Sequence, residues 1–182
     1  SRRGNPPNWH RERSNSIMTT EAKENAAEMV TVTIDGREIQ AEKGAALLQV
    51  ALENGVEIPH YCYHPGLSPV GSCRICQVEV RQGEMPPRVV VACRTPVAPG
   101  MVVDTEAPKA HDARKQCLEF LLKNHPLDCP ICDKSGECLL QDNSYAHGND
   151  GSRMVDVKQL KPTKDLGNGV RLWGNRCISC TR

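Results

Sequence analysis

The chain has 182 residues, 23 basic side chains against 22 acidic ones for a formal net charge of +1, and a hydrophobic fraction of 38% with only 3% aromatic. That charge balance excludes the basic footprint of a nucleic-acid binder, no run approaches the roughly 18 apolar residues of a membrane span, and the first 29 residues lack the apolar stretch of a signal peptide. So few aromatics exclude a large core, and the ten cysteines of a chain read as soluble and non-secreted are expected to supply cross-links by holding metal, because in a reducing compartment short C-x-x-C spacings bind metal more often than they form disulfides.

Residues 1–28 are polar and aperiodic and are expected to be a disordered tail, with residues 1–17, ahead of Met18, reading as upstream sequence. From Val30 the stretch VTVTIDGREIQ alternates β-branched residues around Asp35-Gly36, which predicts a β-hairpin. KGAALLQVALENG follows, with Leu47, Leu48, Ala51 and Leu52 on one helical face and Gly55 as the stop. A cysteine-bearing loop from Tyr61 to Ile75 leads to two further strands around Gln82-Gly83 and to the strand-like GMVVDT. A small mixed sheet crossed by one helix fits this order.

The first cysteine set is Cys62, Cys73, Cys76 and Cys93, spaced C-x10-C-x2-C-x16-C. Three of the four lie in one loop of small and turn-forming residues, which can wrap a buried 2Fe-2S cluster and turn backbone N–H groups toward its sulfurs, while the distant fourth ties the loop to the sheet. Gly66 and Gly71 would let the backbone come close. Zinc stays open as the other reading, but structural zinc sites usually show two close pairs and only Cys73 and Cys76 are paired here.

The strand-hairpin-helix order, the stretch CYHPGLSPVGSCRIC, the later Cys93 and above all HPLDCPICDKSGECLLQD together resemble the N-terminal part of the large iron–sulfur subunit of respiratory complex I, the NADH-quinone oxidoreductase. The resemblance runs from about residue 30 to the end. It implies an α+β chain: a β-grasp ferredoxin-like domain over 29–106 with a 2Fe-2S cluster on Cys62, Cys73, Cys76 and Cys93. A small helical and loop module follows over 107–147 with a 4Fe-4S cluster on one His and three Cys. Residues 148–182 are then a linker and the start of a further 4Fe-4S ferredoxin-type domain.

The second set can also be read from its residues. Between Pro108 and Lys123 the pattern predicts an amphipathic helix with Ala110, Ala113, Cys117, Phe120 and Leu121 on its apolar face, so Cys117 reads as core and His111 as surface. Asn124 and Pro126 mark the helix end, which leaves His125 where the chain turns toward the next cysteines. A lone histidine there would serve the last carbonyls and the helix dipole. Cys129, Cys132 and Cys138 offer only three thiolates to a cube with four iron corners, so a neutral His125 is the economical fourth ligand, and the resemblance implies the same. Replacing one thiolate by imidazole changes the charge of an oxidised 4Fe-4S group from about −2 to about −1, which by itself favours reduction.

Cys177 and Cys180 repeat the opening of a C-x-x-C-x-x-C run, so the sequence is expected to stop inside a binding motif for a second 4Fe-4S cluster. A redox-active dithiol is the plain alternative for a bare C-x-x-C, but its strand-helix context is missing. No glycine-rich dinucleotide fingerprint and no acid–base constellation is present, so no residue is assigned as catalytic, and the resemblance implies iron as the metal with the named residues as its ligands. The resemblance implies an electron-transfer subunit that receives electrons from NADH through a flavin subunit and passes them toward quinone, in a peripheral arm on the cytoplasmic side of a bacterial inner membrane, with the mitochondrial matrix as the other setting. The corresponding subunit of an NAD-reducing hydrogenase or an NAD-linked formate dehydrogenase is the alternative, and a zinc-stapled binding module is a third reading.

Overall fold

The computed structural model describes residues 28–182. Apart from Glu28, the tail expected over 1–28 lies outside the described residues.

The hairpin forms as its sequence dictates. Strands β1 (Met29–Ile34) and β2 (Arg37–Glu42) pair antiparallel from Met29↔Glu42 to Ile34↔Arg37. Asp35 and Gly36 both take positive φ, 49° and 77°, the combination of a type I′ turn, whose twist matches the flanking strands. Alternation then buries Val30, Val32 and Ile34 on one side.

Helix α1 (Leu47–Glu53) crosses next, burying Leu47, Leu48, Val50 and Ala51, with Leu52 half-buried at the margin of the expected face. Gly55 ends it at φ 72°, with its N–H donating to the Leu52 carbonyl and that of Val56 to the Ala51 carbonyl, the paired bonds of a Schellman cap. After the cysteine loop come β3 (Gln77–Gln82), β4 (Arg88–Val91) and β5 (Met101–Asp104). The five strands form one mixed sheet in the order β2-β1-β5-β3-β4, parallel only between β1 and β5.

Helix α2 (Pro108–Leu122) starts with proline at its first position and packs against β3. Its buried face differs from the expected one: Ala110, Arg114 and Leu118 are buried, Cys117 and Leu121 are half-buried, and Phe120 is 76% exposed. Arg114 occupies the centre of that face, two of its guanidinium nitrogens donating to the Gln77 and Thr105 carbonyls, and Phe120 faces outward. Helix α3 (Leu139–His147) packs on α2. Residues 149–163 run on without regular structure to the two-residue strands β6 (Lys164–Asp165) and β7 (Arg171–Leu172).

Among the described residues, two apolar clusters result. The larger lies between α1 and the sheet and takes in Cys76 and Cys93, whereas the smaller joins Cys62, Cys73, Ile75, Leu118 and Leu140. Among the described residues, no helix is long and apolar enough to cross a membrane.

Candidate metal centres

The loop between α1 and β3 carries Cys62, Cys73 and Cys76, and a 3-10 turn after β4, Ala92–Arg94, supplies Cys93. All four are buried, the most exposed being Cys73 at 7%. The Ala92 N–H donates to the Cys76 carbonyl at 2.8 Å, so the turn is fastened beside the start of β3. Gly71 takes φ 73°, and a Cβ there would stand 2.9 Å from Arg94 Cγ. Gly66 has no positive φ, and a Cβ there would meet the His64 ring at an ordinary 3.4 Å.

The four thiols sort into two interacting pairs. In the first, the Cys73 N–H donates to Cys62 Sγ at 3.4 Å. Burial opposes ionisation of Cys62, but the backbone N–H of Cys73 and the Ser72 hydroxyl hold its thiol below the usual range, while burial pushes Cys73 up. In the second, the Cys76 thiol stabilises the Cys93 thiolate and brings it down to about 7, and Cys76 is pushed up by that same hydrogen bond and then by burial. Each pair thus holds one sulfur toward the thiolate that metals bind. Among the described residues, no three His, Cys, Asp or Glu side chains stand close enough together to hold a metal ion, in this set or in the one around His125. Two buried pairs, with two thiols available to each of two irons, fit a 2Fe-2S group.

The second set gathers around the end of α2. The Lys158 ammonium donates to the Leu122 carbonyl at 2.6 Å and the Lys123 carbonyl at 3.2 Å, capping the helix, and the His125 N–H reaches back to the Leu122 carbonyl at 3.2 Å. Burial, then the nearby Lys158 charge, lowers the pKa of His125 below its ordinary value, which favours the uncharged form of the ring. Cys129 opens a 3-10 turn, Cys129–Ile131, Cys132 follows it, and Cys138 stands at the N-cap of α3. His125, Cys129 and Cys138 line one cavity of about 390 Å³ with Leu122, Leu127 and Leu140 among its walls. Cys132 is not part of that lining; beside the same 3-10 turn, Asp128 ion-pairs with Arg176 at 2.9 Å. The structure therefore brings three of the four expected residues to one cavity and leaves Cys132 outside its lining.

Cys177 is exposed after the 3-10 turn Gly174–Arg176, and the Ser179 N–H donates to its Sγ at 3.3 Å. Cys180 packs instead against the smaller apolar cluster. Arg182 fastens this segment to the first cysteine loop, donating to the Cys62 carbonyl at 3.1 Å and the Ser68 carbonyl at 2.8 Å. The smaller cluster therefore touches members of all three sets: Cys62 and Cys73, Cys138, and Cys180. Cys117 packs there too and accepts a hydrogen bond from Gln77 Nε2 at 3.2 Å. Arg114 was invisible to hydropathy, because an arginine in an amphipathic pattern scores as a solvent residue.

Two family models match the chain, a 2Fe-2S iron–sulfur cluster binding domain over residues 27–108 and the NADH-ubiquinone oxidoreductase-G iron–sulfur binding region over 114–153. The mitochondrial NADH-ubiquinone oxidoreductase 78 kDa subunit of Neurospora crassa is 50% identical over 155 residues, 84% of this chain and 20% of that protein. The mitochondrial NADH dehydrogenase [ubiquinone] iron–sulfur protein 1 of Solanum tuberosum is 46% identical over 87% of this chain and 21% of its own length. An NADH-quinone oxidoreductase subunit of Rickettsia prowazekii is 43% identical over 85% of this chain and 22% of its own. Among solved structures, an NAD+-reducing [NiFe]-hydrogenase in the H2-reduced state matches with a TM-score of 0.73 and 35% identity, over 83% of this chain and 62% of that one. The chain spans about a fifth of the length of these curated relatives. With a 2Fe-2S domain followed by a 4Fe-4S binding region and this level of identity, the chain belongs to the family of the large iron–sulfur subunit of NADH-quinone oxidoreductase.

Proposed function

We propose that the chain is the electron-transfer segment of an NADH-quinone oxidoreductase subunit, conducting electrons delivered from NADH by a flavin-bearing partner toward quinone. The observation that carries this reading is the smaller apolar cluster, where members of three cysteine sets share one solvent-poor region. Iron–sulfur groups supply reversible one-electron uptake when bound. The residues' part is to ligate, to exclude water and to fix separations. Cys62, Cys73, Cys76 and Cys93 hold the 2Fe-2S group in a β-grasp domain over 29–106. His125, Cys129, Cys132 and Cys138 hold a 4Fe-4S group in a module over 107–147, and Cys177 and Cys180 begin a second 4Fe-4S site in 148–182. The end of β5 at Asp104 and the start of α2 at Pro108 support the first boundary.

Exposed apolar side chains in the later part of the chain, Leu127, Ile131 and Tyr145 among them, suit a segment covered in an assembly, with other peripheral-arm subunits as its partners. The setting is then the cytoplasmic face of a bacterial inner membrane, with no direct insertion. The full chain, purified anaerobically, is expected to hold iron with acid-labile sulfide, to lose its 2Fe-2S EPR signal in Cys93→Ala, and to change only its 4Fe-4S signal in His125→Ala. Stoichiometric zinc without sulfide would refute the reading, and an unchanged spectrum in His125→Ala would remove that ligand. The likeness to the NAD+-reducing hydrogenase favours a second reading, a hydrogenase diaphorase subunit. Sequence beyond residue 182 separates them: a long molybdopterin-type region supports the first and an early stop the second.

A further inference from the structure

Arg114 is fully buried in the middle of α2, and ligand assignment does not use it. Its Nε donates to the Gln77 carbonyl at 3.0 Å and one terminal nitrogen to the Thr105 carbonyl at 2.7 Å. The other terminal nitrogen is buried without a hydrogen-bond partner. Its nearest carboxylate, Glu106, stands 3.8 Å away with a side chain 68% exposed, so most of that negative charge is spent on water. A buried guanidinium compensated this poorly is costly, and clamping α2 to two carbonyls does not by itself need a full positive charge.

The position of the charge suggests what it is for. Gln77, whose carbonyl accepts from Arg114 Nε at 3.0 Å, directly follows Cys76, the more deeply buried thiol of the second cysteine pair, so the guanidinium is fastened to the residue next to that ligand. A 2Fe-2S group on four thiolates goes from about −2 to about −3 when it accepts one electron, so a fixed cation behind one of its ligands favours the reduced form. In a medium of low dielectric that influence extends over several ångströms beyond contact.

We propose that Arg114 is a positioning residue that sets the reduction potential of the 2Fe-2S site through its buried charge, with Glu106 at the surface attenuating it. This rests on the assignment of Cys62, Cys73, Cys76 and Cys93 as ligands. The charge raises the potential, and weakening Glu106 raises it further. His111, which pairs with Glu106 at 2.8 Å, and His147, whose ring lies 6.2 Å from that of His111, border the same charge, so the comparison belongs above the histidine range.

The test is an EPR-monitored redox titration of the full chain at pH 8.5, with dithionite as the one-electron reductant. At the potential where the unmodified 2Fe-2S signal is half reduced, Arg114→Leu is expected to lower the reduced-to-oxidised ratio roughly tenfold. Arg114→Lys keeps most of the original ratio, and Glu106→Gln raises it about twofold, as befits an exposed charge. The 4Fe-4S signal serves as the internal control and moves less in every variant. A merely structural clamp predicts no rescue by lysine and no opposite shift in Glu106→Gln. If Arg114→Leu does not fold, the other two variants decide, and an unmoved ratio in Glu106→Gln overturns the proposal. A 2Fe-2S signal that survives unchanged in Cys93→Ala, where no ligand atom remains, would instead overturn the ligand assignment, so the two failures are separable.

Discussion

Gly71 sits at φ 73° with Arg94 packed where a side chain would grow, and Arg94 is itself held by a 3.0 Å hydrogen bond to the Pro69 carbonyl. Gly71→Ala is therefore expected to destabilise the chain by about 1–2 kcal/mol and to lower 2Fe-2S occupancy, read by denaturant unfolding and iron analysis. Unchanged occupancy would mean that the loop does not depend on this close approach. His147 carries a different kind of strain, with Nδ1 buried and unpartnered. Burial, then the charges of Arg114 and His111, lowers its pKa below the ordinary 6.5, with Glu106 opposing. The unfolded chain then takes up the proton first, so the stability contributed by a neutral His147 is complete above about pH 6.5 and is lost as pH falls through the lower folded value. Denaturation midpoints measured from pH 7.5 down to 5 should fall, and His147→Leu should flatten the decline while leaving the share due to His125, which is depressed in the same direction.

Among the elements, the first hairpin does more than pair two strands. Asp35, at its turn, accepts the Thr105 N–H on Oδ1 and the Thr105 hydroxyl on Oδ2, both at 2.8 Å, and its own N–H donates to the Val103 carbonyl. The turn thereby clamps the end of β5, which precedes α2. Asp35→Ala is expected to cost about 2 kcal/mol and Asp35→Asn roughly half as much, because asparagine keeps one acceptor and tolerates positive φ. Equal losses in thermal melts of the two variants would show that the hydrogen bonds are not what matters. The hairpin, α1 and its Gly55 stop were legible because turn chemistry and periodicity act within a few residues. The face of α2 was not. Hydropathy placed Phe120 inward and could not foresee Arg114 at the centre, because the Gln77 and Thr105 carbonyls that accept from its guanidinium are 37 and 9 residues away. The cysteine spacings were legible as sets, but the division of the first set into Cys62 with Cys73 and Cys76 with Cys93 depends on tertiary placement.

Across the whole molecule, that division falls along the boundary between the two apolar clusters. Cys76 and Cys93 belong to the core between α1 and the sheet, and Cys62 and Cys73 to the cluster that α2, α3 and the Cys180 segment share. Iron bound across both pairs would staple the sheet core to the helical part, which otherwise rests on α2 against β3, α3 against α2, and side-chain anchors such as Arg182 on the Cys62 and Ser68 carbonyls. Arg176 adds a tie within the later part, lying 4.3 Å over the Trp173 ring while paired with Asp128. A small core gains much of its cooperativity from such a metal cross-link, because the ligands are brought together only in the folded chain. Stripping iron and sulfide should therefore not loosen the molecule evenly. Amide exchange is expected to rise first in the cysteine loop and in α3, while β1 and β2, joined by a full antiparallel register, keep their protection. Uniform loss of protection would show that the sheet itself depends on the metal, and no change in α3 would show that the two clusters are not coupled through the cysteines.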